Sequence, residues 1–82
     1  MKVADTMYVE WVEGEAVVLN RESGELHYLN GTAALVFALI QEHGYDGAMT
    51  EVRNRFGSTE QIEGELRDLV SDMKEKGILV DG

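Results

Sequence analysis

Two histidines, His27 and His43, are the side chains best suited to proton transfer near neutral pH, and neither has company that would put it to use. His27 sits in "ELHYL" with no carboxylate at a metal-ligand spacing. His43 falls in the last turn of an apolar segment, where a cation favours the helix dipole. Both read as structural or surface residues. There is no cysteine, so there is no thiolate nucleophile, thiolate zinc site or disulfide framework. No phosphate loop, GxSxG or HExxH occurs, and the glycines are scattered among turns and helix ends. The residues therefore describe a non-catalytic protein with no cofactor and no metal site.

Charge is the stronger signal. Sixteen acids face seven bases for a net charge of −9. A nucleic-acid binder needs a basic footprint to displace counterions from phosphates. In a winged-helix domain the third helix enters the groove. Here that segment carries Glu60, Glu63, Glu65, Asp68, Asp72 and Glu75 against Arg67, Lys74 and Lys76. The sign is wrong for DNA, and Arg53 and Arg55 on the preceding helix do not reverse it. At 100° per residue, Glu65, Asp68 and Asp72 fall on one flank of the helix's apolar stripe. Glu63, Arg67 and Lys74 fall on the other, where Glu63 and Arg67 are spaced to pair at i, i+4. The acidic flank reads either as a solvated face or as a wall awaiting a cationic or hydrogen-bonding ligand.

The elements that position these residues follow from periodicity. An 82-residue chain with 44% hydrophobic and 28% charged residues is one small globular domain, read as 1–82 with residues 1–6 frayed. It has no signal-peptide core, and its longest apolar run, Ala33 to Ile40, is too short to span a bilayer. Such a chain is expected in the cytoplasm, away from membranes. Met7 to Val12, Ala16 to Leu19 and Glu25 to Leu29 read as three strands, joined by a Glu13-Gly14 turn and an "NRESG" loop. In the third strand Leu26 and Tyr28 share one face, Glu25 and His27 the other.

Thr32 to Glu42 follows as an apolar helix with Asn30 as N-cap and Gly44 as its stop. A second helix spans about Gly47 to Phe56 with Asp46 as N-cap. A third opens on the capping box "STEQ", with Ser58 as N-cap, and carries Ile62, Leu66, Leu69, Val70 and Met73 inward. Ile78 to Val80 is an apolar tail able to pack back on the core. The fold class is α+β: a three-stranded antiparallel sheet followed by three helices, winged helix-turn-helix-like.

If the strands pair in sequence order, Glu25 to Leu29 is an edge. Edges are ordinarily blunted by lysine, proline or a bulge, and "ELHYL" has no lysine or proline. Either another part of the chain covers that edge, or an extended peptide adds to it as a further strand. Pairing of the edge with a second copy of the chain is the remaining use.

"VVLNRESGELHYLNGTAALVFALI" and, after a spacer, "IEGELRDLVSDMKEKGIL" resemble the PqqD-like family, also called the RiPP precursor peptide recognition element. The first signal is a TG-x-x-Y-x-LN-x-TAA run, matched by Ser23-Gly24 through Tyr28, Leu29-Asn30 and Thr32-Ala33-Ala34. The second is a closing V…DV…FL…L…GLL run, matched by Ile62, Glu65-Leu66, Leu69-Val70, Met73 and Gly77-Ile78-Leu79. Together they cover about Gly14 to Leu79, with conservative departures at Ser23, Glu65 and Met73.

The resemblance implies that a precursor's leader peptide binds as an added strand on the third β-strand, in the groove against the third helix. The implied peptide-binding residues are Glu25, Leu26, His27, Tyr28 and Leu29 on the strand, and Glu65, Asp68, Leu69, Asp72 and Met73 across from them. It also implies a modifying enzyme as partner. For a lasso-peptide-type protein these are a leader peptidase and a cyclase. For a pyrroloquinoline-quinone-type chaperone it is a radical SAM enzyme. The "SGELHYLN" hairpin is nearer the lasso type.

Overall fold

The computed structural model describes residues 1–82 as an α+β fold. Strand β1 (Lys2–Val3) is followed by β2 (Met7–Val12), β3 (Glu15–Asn20) and β4 (Leu26–Leu29). Helix α1 (Gly31–Phe56), helix α2 (Glu60–Glu75) and strand β5 (Leu79–Val80) complete the chain. The main sheet is antiparallel in the order β2-β3-β4, and β1 and β5 form a separate antiparallel pair. In the β2–β3 hairpin, Glu13 and Gly14 both take positive φ (51° and 80°). That is the two-residue turn whose twist suits a hairpin, and it puts a non-glycine residue in a conformation L-amino acids resist.

One face of the main sheet is closed by helices. Ala16 and Val18 of β3 and Leu29 of β4 are buried there with Val36, Phe37 and Ile40 of α1. Trp11 of β2 leans on the Phe37 ring at 6.3 Å between centroids, so β2 shares this face. The register Val9↔Val18↔His27 and Trp11↔Ala16↔Leu29 places His27 on the core side. The opposite face carries the rows Tyr8–Leu19–Leu26 and Glu10–Val17–Tyr28, with nothing of the chain over them. Tyr8, Val12, Leu26 and Tyr28 are all more than half exposed.

Four expectations give way. The first and second helices abut with no loop between them, running as Gly31–Phe56 across a kink at Gly44, whose dihedrals are not helical (φ 78°, ψ 173°). A single residue lacking Cβ reverses φ and the helix resumes at once, because no proline or polar loop follows to hold the chain open. Asp46 is therefore inside a helix, its carbonyl accepting from the Thr50 hydroxyl at 3.1 Å, and it does not cap one. The last helix begins one residue later than the capping box implied. Thr59 is its N-cap, its hydroxyl oxygen accepting from the Ile62 N–H at 3.3 Å.

The N-terminus, expected to fray, is tied down: Lys2 and Val3 pair with Val80 and Leu79, and the Ala4 N–H donates to the Ile78 carbonyl at 2.9 Å. Ile78 and Leu79 are fully buried, and Met1 and Val3 pack against the core they complete. Two residues at each end suffice because the apolar tail is already anchored.

Candidate functional site

Strand β4 is an edge of the sheet, and its hydrogen-bond phase tells which of its backbone groups are free. The Asn20 N–H donates to the Glu25 carbonyl at 2.9 Å. Bonded and non-bonded pairs alternate along an antiparallel ladder, so Val18–His27 and Ala16–Leu29 are the next bonded pairs. The N–H and C=O of His27 and Leu29 are thus spent on β3. Those of Leu26 and Tyr28 point outward from the sheet. A segment of extended chain can take these groups without disturbing the existing ladder.

Side chains alternate the other way. Leu26 (51% exposed) and Tyr28 (72% exposed) stand on the open face of the sheet, away from the helices. His27 is half-buried and Leu29 is buried on the helix side. Glu25 is exposed in the loop before the strand. The ten residues singled out in the sequence therefore divide. Glu65 and Asp68 are exposed on α2 and enter no ion pair, whereas Asp72 is held by Lys76 at 2.8 Å. Leu69 is half-buried. The Met73 side chain, 1% exposed, belongs to the core, as does that of Leu29 at 4%. Both side chains are thus turned into the core, and Leu26 and Tyr28 present their backbones, not their side chains, at the free edge.

The structure adds residues that periodicity did not mark. A cavity of about 150 Å³ lies between α1 and α2, lined by Thr32, Val52, Phe56, Ile62, Glu65, Leu66 and Leu69. Thr32 is three residues beyond the end of β4, and Glu65 and Leu69 belong to the flank already singled out. Phe56 is half exposed at its rim. Its exposure is the signal the sequence withheld, because an apolar residue at helical spacing reads as core until the packing is seen. The cavity is apolar with one free carboxylate, the profile of a socket for an apolar side chain.

The opposite flank of α2 is occupied. Arg53 of α1 reaches Glu63 with two hydrogen bonds, Nε to Oε1 at 2.6 Å and Nη2 to Oε2 at 3.2 Å. Glu63 thus pairs with Arg53 and not with Arg67, since the planar guanidinium across the helix pair can grip both carboxylate oxygens. The hydrogen bond from Arg53, with the positive charges of Arg53 and Arg67, holds the Glu63 carboxyl below the usual glutamate range. Two acidic groups on one helix are thereby set apart, Glu63 engaged within the fold and Glu65 available.

A family model described as coenzyme PQQ synthesis protein D (PqqD) matches residues 15–79. Among solved structures, one described as TbiB1 in complex with the TbiA(beta) leader peptide superposes with a TM-score of 0.83 at 19% identity. The match covers 99% of this chain and 100% of the other. No curated protein matches at a significant level.

Proposed function

Because the chain belongs to the PqqD family, we propose that it binds the leader region of a ribosomally synthesised precursor peptide by strand addition to β4. The observation that carries this reading is an unblunted edge with outward backbone groups at Leu26 and Tyr28, near an apolar cavity on α2. The leader's backbone supplies general affinity through those groups. An apolar anchor side chain in the cavity bounded by Phe56, Ile62 and Leu69 supplies selectivity, and Glu65 and Asp68 favour a leader carrying lysine or arginine nearby. The likeness to TbiB1, whose structure holds a leader peptide, supports this reading over nucleic-acid binding, as does the net charge of −9.

The role is presentation and not catalysis. The open sheet face bearing Tyr8, Val12, Leu26 and Tyr28 is the surface a modifying enzyme would meet, and an added leader strand would extend it. Its charged members, Glu10 and Glu15, are both acidic, so a partner with an apolar patch rimmed by lysine or arginine fits better than a second copy of this chain. The "SGELHYLN" hairpin favours a lasso-type leader peptidase as that enzyme. The resemblance to pyrroloquinoline-quinone-type chaperones keeps a radical SAM enzyme as the second candidate.

The test is titration of the protein into a fluorescently labelled leader peptide from the precursor encoded beside it, with a scrambled peptide and a DNA duplex as controls. Sub-micromolar binding of the leader alone supports the reading. Binding of the duplex, or self-association with no leader binding, overturns it.

A further inference from the structure

The main sheet has a second edge. Strand β2 pairs with β3 alone, and it is six residues long against four for β4. The Arg21 N–H donates to the Thr6 carbonyl at 2.9 Å, which sets the phase of the β2–β3 ladder. Tyr8–Leu19, Glu10–Val17 and Val12–Glu15 are then the bonded pairs. The N–H and C=O groups of Val9 and Trp11 point outward, and no element lies beyond β2 to take them. The Met7 carbonyl also points outward, while the Met7 N–H is spent on the Ala4 carbonyl at 3.1 Å. The strand has no lysine or proline, and its register to β3 is unbroken from Met7 to Val12, so no bulge twists it away. None of the three cavities is lined by a residue of β2, so this edge offers backbone groups without a socket for an anchoring side chain.

We propose that β2 pairs antiparallel with β2 of a second copy of this chain, about a two-fold axis at Val9, joining two sheets into one of six strands. A two-fold axis perpendicular to the sheet keeps every side chain on its own face, so residues that meet differ by an even number of positions. Pairing about Val9 sets Val9 against itself, Tyr8 against Glu10 and Met7 against Trp11. Its backbone bonds fall on outward groups: Val9 to Val9 in both directions, and each Trp11 N–H to the other copy's Met7 carbonyl. The Tyr8 hydroxyl donates to Glu10 Oε2 within its own strand at 2.9 Å, and here it has a second carboxylate directly opposite. Pairing about Glu10 sets two carboxylates against each other, which is destabilising. Pairing about Tyr8 calls on the Met7 N–H that Ala4 already holds. Charge and hydrogen-bond phase thus select one register, in which the strand complements itself.

Both β4 edges stay free at the two ends of the six-stranded sheet, so each copy keeps its leader site. The contact is one strand wide and each copy carries a net charge of −9, so the dimer is weak and strengthens as salt screens the repulsion.

The test is sedimentation velocity from micromolar to millimolar protein at low and high salt. A monomer should give way to a dimer, at lower concentration when salt is high. Val9→Pro removes the central outward N–H, a change an edge strand tolerates. It should weaken the dimer about tenfold or more, through one hydrogen bond lost from each copy, with leader affinity unchanged. Tyr28→Pro, on the other edge, should leave the dimer intact.

The register is read with cysteine, which the chain lacks. Non-bonded antiparallel pairs bring Cα atoms to about 4.5 Å, within disulfide reach. Tyr8→Cys and Glu10→Cys proteins, mixed under mild oxidation, should therefore give the mixed disulfide dimer. A monomer at every concentration and salt, loss of the dimer in Tyr28→Pro and not in Val9→Pro, or absence of the mixed disulfide overturns the inference. Leader binding by such a protein leaves the functional reading standing. A dimer of the selected register that binds no leader supports this inference and overturns that reading.

Discussion

The two flanks of α2 share Leu66 as a wall and differ in what they do with their charges. On one side a cavity of about 230 Å³, lined by Tyr45, Met49, Arg53, Glu63, Leu66, Arg67 and Val70, carries the two-pronged Arg53–Glu63 bond in its wall. On the other the cavity lined by Thr32, Phe56, Ile62 and Leu69 has Glu65 at its side with no cation to hold it. The first flank meets its polar requirements within the chain and so fastens α2 to α1. The second leaves apolar walls and a carboxylate facing solvent beside the region where β4 runs into α1. A small domain has little core to spare, so an unfilled apolar socket is a liability unless something outside the chain fills it.

The contrast is broken most forcefully at Leu69. Leu69→Asp puts a charge in the open socket, and leader affinity should fall at least a hundredfold in the labelled-peptide titration. Leu69 is half-buried, so circular dichroism should still report a folded protein. Survival of binding would remove the α2 flank from the site.

Next is Tyr28→Pro, which deletes a backbone N–H that points outward and spares those bonded to β3. A proline on an edge is compatible with the sheet. One lost hydrogen bond and the ring's bulk at the added strand should weaken the leader about tenfold or more. Tyr28→Ala keeps the N–H and should change leader affinity far less, because its side chain stands on the other face. Equal loss in both would mean that the side chain and not the backbone is read.

The occupied flank should respond in stability alone. Glu63→Gln should lower the thermal midpoint by at most a few degrees, the usual scale for an exposed ion pair, with leader affinity unchanged. The pH dependence has a definite sign. The Glu63 carboxyl titrates below its unfolded value, so its contribution is complete above the ordinary glutamate range and is lost as pH falls through the depressed value. Midpoints of wild type and Glu63→Gln should therefore converge on acidification below that range and stay separated at neutral pH. A gap that widened on acidification would contradict the assigned pairing.

The smallest effect is expected far from both flanks. Glu13 holds φ at 51° in the hairpin turn. Glu13→Gly should relieve that conformation, raising stability by about 0.5–1 kcal/mol, or Glu13→Asn by less, in urea unfolding. Neither should alter leader binding.

Much of the architecture was legible because it depends on local patterns. Met7–Val12 appears as a strand with the bounds its β-formers mark, and α2 carries Ile62, Leu66, Val70 and Met73 inward as their spacing requires. Gly44 breaks the first helix where the sequence says it should. That the second helix follows the kink directly, with no loop, was not legible, since "GYDG" reads as a turn until the backbone is seen. The same holds for the terminal pair β1–β5, which joins residues almost a full chain length apart.

For the candidate site the division is similar. Alternation placed Leu26 and Tyr28 together opposite His27, and charge placed Glu65 and Asp68 together on one flank of α2. Which side faces the helices is a property of the whole sheet: the residues alternate identically either way, and the pairing to Ala16 and Val18 makes His27 and Leu29 the inward set. The choice of Arg53 over Arg67 as the partner of Glu63, and the socket lined by Phe56, likewise needed two helices side by side. Sequence alone thus determined which residues share a face or a flank, because that follows from the 2.0 and 3.6 residue periods of a single element. Only the tertiary structure decided what each face looks at, because burial and ion pairing are set by neighbours distant in the chain.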